Sequence, residues 1–505
     1  MFSHYGKAAL RSSLIHFMFG KVFSVVVGIL TLIVLVRWLD PEDFSGYVIF
    51  LALQSILLAL SSLGIDTTAE RFLPELRTRH LDPEMLGFVA TLMGARLISL
   101  MILTVIAWYA STSITDLIGL ERYLDVFKVW TIVIMFTGML TFSVVLLDAM
   151  LHQRDAQRCM VIYVLIKLIM IWLAYQFSNF NLDLLVHIEL IATVMTALIG
   201  TWLLIRQFSA RGLYSGWYIL LESRRRMMNF ASFNYLAQIT FQLFSPDMMK
   251  LLVMKLLGAM EAACYGFAYS LADTVQRYLP AMLLVRLIKP IFVSRYTKTR
   301  DFSELNEMAR IILKINLLVL SPVIAFTAVY GESLLSFISN GKYSDAHLLL
   351  VGILSLLLFS SHQLVLSILA GTLERNVMQL YAGIASVIAF PCAFFFLPVL
   401  GSWGAVIASI VGAIVYNTFA TVYLRRAGFN YRPDLRGVGV FLASGILLFA
   451  VVFGLDSLLS GWTGFFSAMI IGLLIYIAIV RAMSAFSSEE RMLINAILPK
   501  PVFIF

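Results

Sequence analysis

Eight basic residues interrupt long apolar runs in this chain: Lys21, Arg96, Lys167, Lys250, Arg277, Arg286, Lys289 and Lys314. A charge at the centre of a lone helix in hydrocarbon costs roughly 2.5 to 3.5 kcal/mol even on the lenient insertion scale, so each needs a partner, a wet cavity or an escape route. Arg286, Lys289 and Lys314 stand near the ends of their runs, where they can snorkel to headgroups. Lys21, Arg96 and Lys167 lie too deep for that and are expected to face a cavity. Acids in comparable positions are fewer: Glu189, Asp247 and Asp273, with Asp66 and Asp148 nearer a surface. The cationic surplus suits an anionic ligand. A diphosphate offers several acceptor oxygens that Arg and Lys can pair with, and Lys21, Arg96, Lys167, Lys250 and Arg277 are the candidates to hold it.

Two of these cations have an acid one helical turn away. Asp247 and Lys250 are spaced i, i+3, and Asp273 and Arg277 i, i+4, so each pair either neutralises itself on one helix face or leaves Asp247 and Asp273 as a proton or ion site that couples to a gradient. Near the first pair, Asn234, Gln238, Gln242 and Ser245 recur at helical spacing as a polar stripe that must face a cavity or another helix. Pro246 follows directly and removes a backbone hydrogen bond, which marks it as a hinge candidate. His187 and Glu189 are two residues apart and so on different helix faces, which argues against a joint metal or acid-base site. No HExxH, Walker A loop or GxSxG elbow is present, so neither a catalytic residue, a metal nor a cofactor is expected. Cys159, Cys264 and Cys392 are far apart and read as packing residues.

The elements that must position these groups are transmembrane helices. Of 505 residues 61% are hydrophobic and 13% charged, where a soluble domain carries about 25% charged residues. Apolar blocks match the roughly 20 residues needed to cross a bilayer as a helix, and nothing alternates as the strands of a β-barrel would. The expected fold is therefore an all-α polytopic membrane protein with about fourteen spans: 12–38, 44–66, 85–111, 126–151, 156–177, 182–205, 229–254, 262–292, 308–331, 346–371, 376–398, 402–424, 436–456 and 461–484. The first apolar run covers 12–38 and lacks a small-residue cleavage site, so it reads as a retained helix rather than a signal peptide.

Net charge is +8, and its distribution is topological rather than a nucleic-acid footprint. With the amino terminus inside, and with Arg37, Lys128, Arg158, Arg310, Arg436 and Arg481 near span ends counted with the side they adjoin, 24 Lys and Arg fall on the inner side and five outside, with the eight named above within spans. Both termini are then cytoplasmic. The linker 206–228 holds an interfacial stretch with Trp217 and Tyr218 at headgroup level. It separates an N-lobe (1–205, helices 1–6) from a C-lobe (229–424, helices 7–12), followed by helices 13–14 (425–484) and an amphipathic tail (485–505), whose Ser487 and Glu490 have capping-box spacing. A weak repeat supports two pseudo-symmetric lobes: Arg37 through Asp43 to Tyr47 recurs 218 residues later as Lys255 through Glu261 to Tyr265, and Ala149 and Arg154 recur 221 later as Ala370 and Arg375. Parallel repeats of this kind occur in transporters whose halves rock about a central site.

The segments RWLDPEDFSGY near Asp40, LGIDTTAERFLPEL from Leu63, KLLGAMEAACYGFAYSL from Lys255, YGESLLSFISNGKY from Tyr330 and LPVLGSWGAV from Leu397 resemble the polysaccharide transport branch, the Wzx-type flippases, of the multidrug/oligosaccharidyl-lipid/polysaccharide (MOP) exporter superfamily. That resemblance implies two six-helix lobes around a cavity. The implied cargo is an undecaprenyl-diphosphate-linked oligosaccharide of O-antigen, capsule or exopolysaccharide, moved between leaflets of a bacterial inner membrane. It also makes membrane lipids, a polysaccharide polymerase and glycosyltransferases candidate partners. The two carboxy-terminal helices resemble the lipid II flippase branch. The competing readings are a membrane-embedded polymerase or glycosyltransferase, disfavoured by the short outer loops, and a MATE-like small-molecule exporter, whose cavity should be acidic if its cargo is cationic.

Overall fold

The computed structural model describes residues 7–77, 82–150, 152–177, 179–207, 216–282, 292, 296, 300–373, 375–458 and 461–497, with backbone alone at 7–22, 75–77, 82–85, 216–224, 376, 462–463, 489, 493–494 and 496–497. Every regular element among them is helical. The chain divides into two compact units, Met1–Ala263 and Cys264–Phe505.

The first unit contains α1 (Lys7–Trp38), α2 (Pro41–Ser61), α3 (Ile65–Arg77), α4 (Asp82–Tyr109), α5 (Ser111–Ile118), α6 (Leu124–Ala149), α7 (Gln153–Phe177), α8 (Leu182–Ile205), α9 (Gly216–Gln242) and α10 (Pro246–Leu257). Helix α2 starts where its sequence says it should: Asp40 is extended, Pro41 occupies a first-turn position, and Glu42 and Asp43 sit at the positive end of the helix dipole. The same acids tie down neighbouring segments. Glu42 pairs with Arg122 at 2.7 Å, and Asp43 accepts from the Tyr123 hydroxyl at 2.7 Å and from the Leu182 amide at 3.1 Å. Helix α6 is central, packing on α2, α3, α4, α7 and α8. Its Gly138 permits this, because a Cβ there would lie 2.6 Å from Leu100 and 2.9 Å from Leu58.

The second unit begins within α11 (Ala259–Tyr278) and continues with α12 (Phe302–Ser339), α13 (His347–Thr372), α14 (Asn376–Ser386), α15 (Ala389–Leu400), α16 (Trp403–Arg426), α17 (Leu435–Leu458), α18 (Gly461–Ala482) and α19 (Ser488–Ile497). Helices α2 and α11 begin at Pro41 and Ala259, in the register of the sequence repeat, and each buries its equivalent tyrosine, Tyr47 and Tyr265.

Among the described residues, eleven helical stretches are long and apolar enough to cross a membrane. They coincide with eleven of the fourteen expected spans. The remaining three expectations fall on α1, on α9 with α10, and on α11, and residues 283–291 of the eighth span lie outside the described set. The expected seventh span differs in kind from a single bent helix. It is two helices, with α9 ending at Gln242 and α10 starting at Pro246, and Ser245 caps the second by accepting from the Met248 amide at 3.3 Å. A proline ring clashes with the carbonyl four residues earlier, here that of Gln242. The same rule explains the break between α14 and α15, where Pro391 opposes Val387. Both α9 and α10 pack within the first unit, on α2, α3, α4 and α5.

Candidate functional site

The deep cations Arg96 and Lys167 both lie inside the first unit, in two different polar clusters. Arg96 projects from α4 with 2% exposure. Its guanidinium donates to the Ser61 hydroxyl at 3.1 Å and to the Leu58 carbonyl at 3.4 Å, and faces the Asp66 carboxylate at 3.3 Å. The turn joining α2 to α3 makes this possible. It places Ser61, Ser62 and Asp66 together, and Gly64 is required there twice over: its φ is +74°, and a Cβ would collide with the Ala231 carbonyl oxygen of α9 at 2.4 Å. Helix α9 in turn contributes Gln238, which accepts from the Ser62 hydroxyl at 2.9 Å, and Tyr235, which donates to the Leu60 carbonyl at 2.9 Å.

This cluster is incomplete. Arg96 Nε, Asp66 Oδ1 and, further along α9, Gln242 Nε2 are buried with no hydrogen-bond partner among the described residues. Asp66 nevertheless keeps 31% of its side chain exposed. A guanidinium has five N–H donors and a carboxylate accepts at two oxygens, so both groups retain capacity for a ligand or water.

The second cluster is complete. Lys167 of α7 contacts Glu189 of α8 directly and donates to the Tyr47 hydroxyl of α2 at 2.6 Å. Tyr47 and Tyr163 each donate to one oxygen of Glu189, both at 2.7 Å, and the ammonium also lies 5.1 Å from the Tyr47 ring centroid. Glu189 is 1% exposed. The outer-half pair His187 and Glu189 splits as helical geometry requires, with His187 exposed and engaging its own helix through the Asp183 carbonyl.

The other sequence candidates lie elsewhere. Asp247 and Lys250 pair at 2.8 Å within α10, and Asp273 and Arg277 pair within α11 with Arg277 largely exposed. Asn234 donates back to the Phe230 carbonyl of its own helix. Lys21 lies in α1 where the backbone alone is described, and Arg286 and Lys289 lie outside the described residues. Lys314 does not snorkel. It is 4% exposed and is held by both oxygens of Glu490, at 2.9 and 2.8 Å, and by Asp434, because the carboxy-terminal helix folds back onto α12. Sequence reasoning saw Glu490 as half of a capping box, which forms: the Ser487 amide donates to Glu490 and the Glu490 amide to Ser487. It did not pair Glu490 with a lysine 176 positions away. Among the described residues no group of three or more His, Cys, Asp and Glu side chains could hold a metal ion.

The sequence model of a family described as "Polysaccharide biosynthesis protein" matches residues 34–348. No curated protein matches the sequence. Among solved structures, the lipid II flippase MurJ in an inward closed conformation superposes with a TM-score of 0.73 at 12% identity, covering 93% of this chain and 99% of that one. An inward-facing multidrug resistance MATE family transporter of the MOP superfamily gives 0.64 at 14%, covering 80% and 94%. A mutant of the MATE transporter VcmN from Vibrio cholerae gives 0.57 at 16%, covering 84% and 99%. At such identities the likeness is one of fold.

Proposed function

This chain belongs to the polysaccharide biosynthesis protein family, and we propose that within it the protein moves an undecaprenyl-diphosphate-linked oligosaccharide from the cytoplasmic to the periplasmic leaflet of a bacterial inner membrane by alternating access. The observation that carries the reading is the unfinished coordination of Arg96. An enclosed guanidinium with a donor to spare, beside a carboxylate that retains access to water, is a group arranged to exchange one anionic partner for another. Asp66 keeps the charge tolerable while the site is empty, since an unpaired buried charge costs several kcal/mol. An arriving diphosphate competes for Arg96 while Asp66 hydrates, so binding is near balance and release at the other face remains feasible.

The fold supports this reading. MurJ is described as a lipid II flippase, and its match covers 93% of this chain against 80% for the inward-facing MATE transporter. A chain that extends past the twelve expected lobe helices with α17 and α18 suits a cargo with a long lipid tail. Asp247 and Asp273 remain candidates for gradient coupling only if a proton or ion displaces the cation each now holds. Lys21 and Lys250, in the same unit as Arg96, stay in the proposal as secondary contacts to the anion.

Full-length protein in proteoliposomes with a lipid-linked oligosaccharide tests the assignment, reading the sugar that becomes accessible on the opposite leaflet. Arg96→Ala should reduce translocation by about ten- to a hundredfold, the equivalent of a charge-assisted hydrogen bond of about 1.5 to 3 kcal/mol, with membrane abundance unchanged. Undiminished translocation by that variant removes Arg96 from the mechanism.

A further inference from the structure

A cavity of about 740 Å³ in the second unit lies among Arg310 and Lys314 of α12, the segment Arg432–Gly437 leading into α17, and the segment Ser484–Arg491 that leads from α18 into α19. Five cationic side chains line it (Arg310, Lys314, Arg432, Arg436 and Arg491) against two carboxylates, Asp434 and Glu490, a formal excess of three positive charges. The carboxylates are already spent, because both converge on the Lys314 ammonium. Two of the arginines are tethered through Nε: Arg310 to the Arg432 carbonyl at 2.8 Å and Arg432 to Asn430 at 3.1 Å. Tethering at Nε orients a guanidinium and leaves its two terminal nitrogens to bind something else. Among the described residues, none of Arg310, Arg432 and Arg436 is within salt-bridge distance of a carboxylate. Asp434 is held below the usual carboxylate value of 3.8. Burial would raise it, but the Gly437 amide, Lys314 and Arg310 together outweigh that.

We propose that this cavity binds the phosphodiester headgroup of an anionic phospholipid, with the terminal guanidinium nitrogens of Arg310, Arg432 and Arg436 as its donors. Apolar side chains that a lipid's tails could meet are near in the chain: Leu435, Met483 and Met492, each next to a lining residue, are exposed, Leu435 to 75%. The segments that build the cavity are the loop before the penultimate span and the tail after the last, which carry the Arg-rich charge that the sequence places at the cytoplasmic surface, where anionic lipids attract it. A bound headgroup would join α12, α17 and the tail helix through one phosphate, and so would hold α19 against the bundle.

The site is separate from Arg96, and so is its test. Full-length protein in detergent is titrated with dioctanoyl phosphatidylglycerol and, separately, with dioctanoyl phosphatidylcholine, reading adducts in native mass spectrometry and the unfolding temperature. The anionic lipid should bind and stabilise while the neutral lipid does neither. Arg310→Gln, Arg432→Gln and Arg436→Gln together should weaken the anionic affinity at least about tenfold. Arg436→Gln alone changes one exposed side chain and tests the site should the triple variant fold poorly; about a fivefold loss is expected. Arg96→Ala should retain the full lipid affinity. Equal binding of the two lipids, unchanged affinity in the Arg436→Gln variant, or displacement of the lipid by an equal concentration of inorganic pyrophosphate would each overturn the proposal, the last by making this a site for soluble anions.

Discussion

Two buried cations in one lobe, Lys167 and Arg96, sit in surroundings that differ in one respect. No buried polar atom of the Lys167 cluster is left without a partner: two tyrosine hydroxyls and an ammonium close both oxygens of Glu189, and three helices supply the parts. The Arg96 cluster is a near match in charge and in the burial of its cation, yet it leaves a guanidinium N–H and a carboxylate oxygen unmatched and keeps Asp66 in reach of water. A saturated ion pair in hydrocarbon can only hold helices together, since any ligand would have to break it at full desolvation cost. An unsaturated pair has something to offer a ligand. Burial alone therefore does not separate these two cations; unspent hydrogen-bonding capacity does.

The largest effect should follow from breaking the saturated cluster. Glu189→Ala strands Lys167 and should lower stability by about 3 to 5 kcal/mol, read as unfolding temperature in detergent, whereas Lys167→Met combined with Glu189→Gln should recover most of it. A mild effect of the single change would erase the distinction between the clusters. Arg96→Ala should do the reverse, suppressing translocation while costing only about 1 to 2 kcal/mol, because Asp66 can hydrate. If it destabilises as much as Glu189→Ala, the Arg96 pair is a structural one too.

The Lys314 cluster in the second unit extends the comparison through pH. Asp434 has its folded pKa depressed, so its contribution is complete above the ordinary value of 3.8 and is lost as pH falls through the lower folded value. Hydrogen-exchange protection around Gly437 and α19 should be flat from neutral pH down to that ordinary value and decline only below it. A decline nearer neutrality would show that another group holds the tail. The smallest effects belong to the pairs within single helices. Asp247→Asn or Asp273→Asn should each cost about 0.2 to 0.5 kcal/mol, read by the same unfolding measurement, and should alter translocation by less than about twofold. Abolished translocation with intact stability would instead make either aspartate the coupling group.

Much of the fold could be read from the chain because hydrophobic length is a local property. Of the fourteen spans expected from composition, eleven coincide with long apolar helices among the described residues, and α2 announced its start through Asp40, Pro41, Glu42 and Asp43. The harder stretch, 229–292, is where polar residues and Pro246 interrupt the apolar run, so length counting merged α9 and α10 into one helix. The candidate site was half legible. Arg96 and Lys167 could be picked out as deep charges, and the Ser487 and Glu490 capping box was visible because its members are three residues apart. That Glu189 would belong to Lys167, Asp66 to Arg96 and Glu490 to Lys314 was not visible, since each pairing joins different helices.

By itself the sequence determined that this chain is a multi-helix membrane protein with more cations than acids within its apolar runs, because transfer into hydrocarbon is governed by residue type and run length. Only the tertiary structure decided which of those cations is spent and which is not. Partner choice depends on helices meeting in space, and here α2, α7 and α8 meet to close one cluster, while the turn at Gly64 gathers the other and leaves it open.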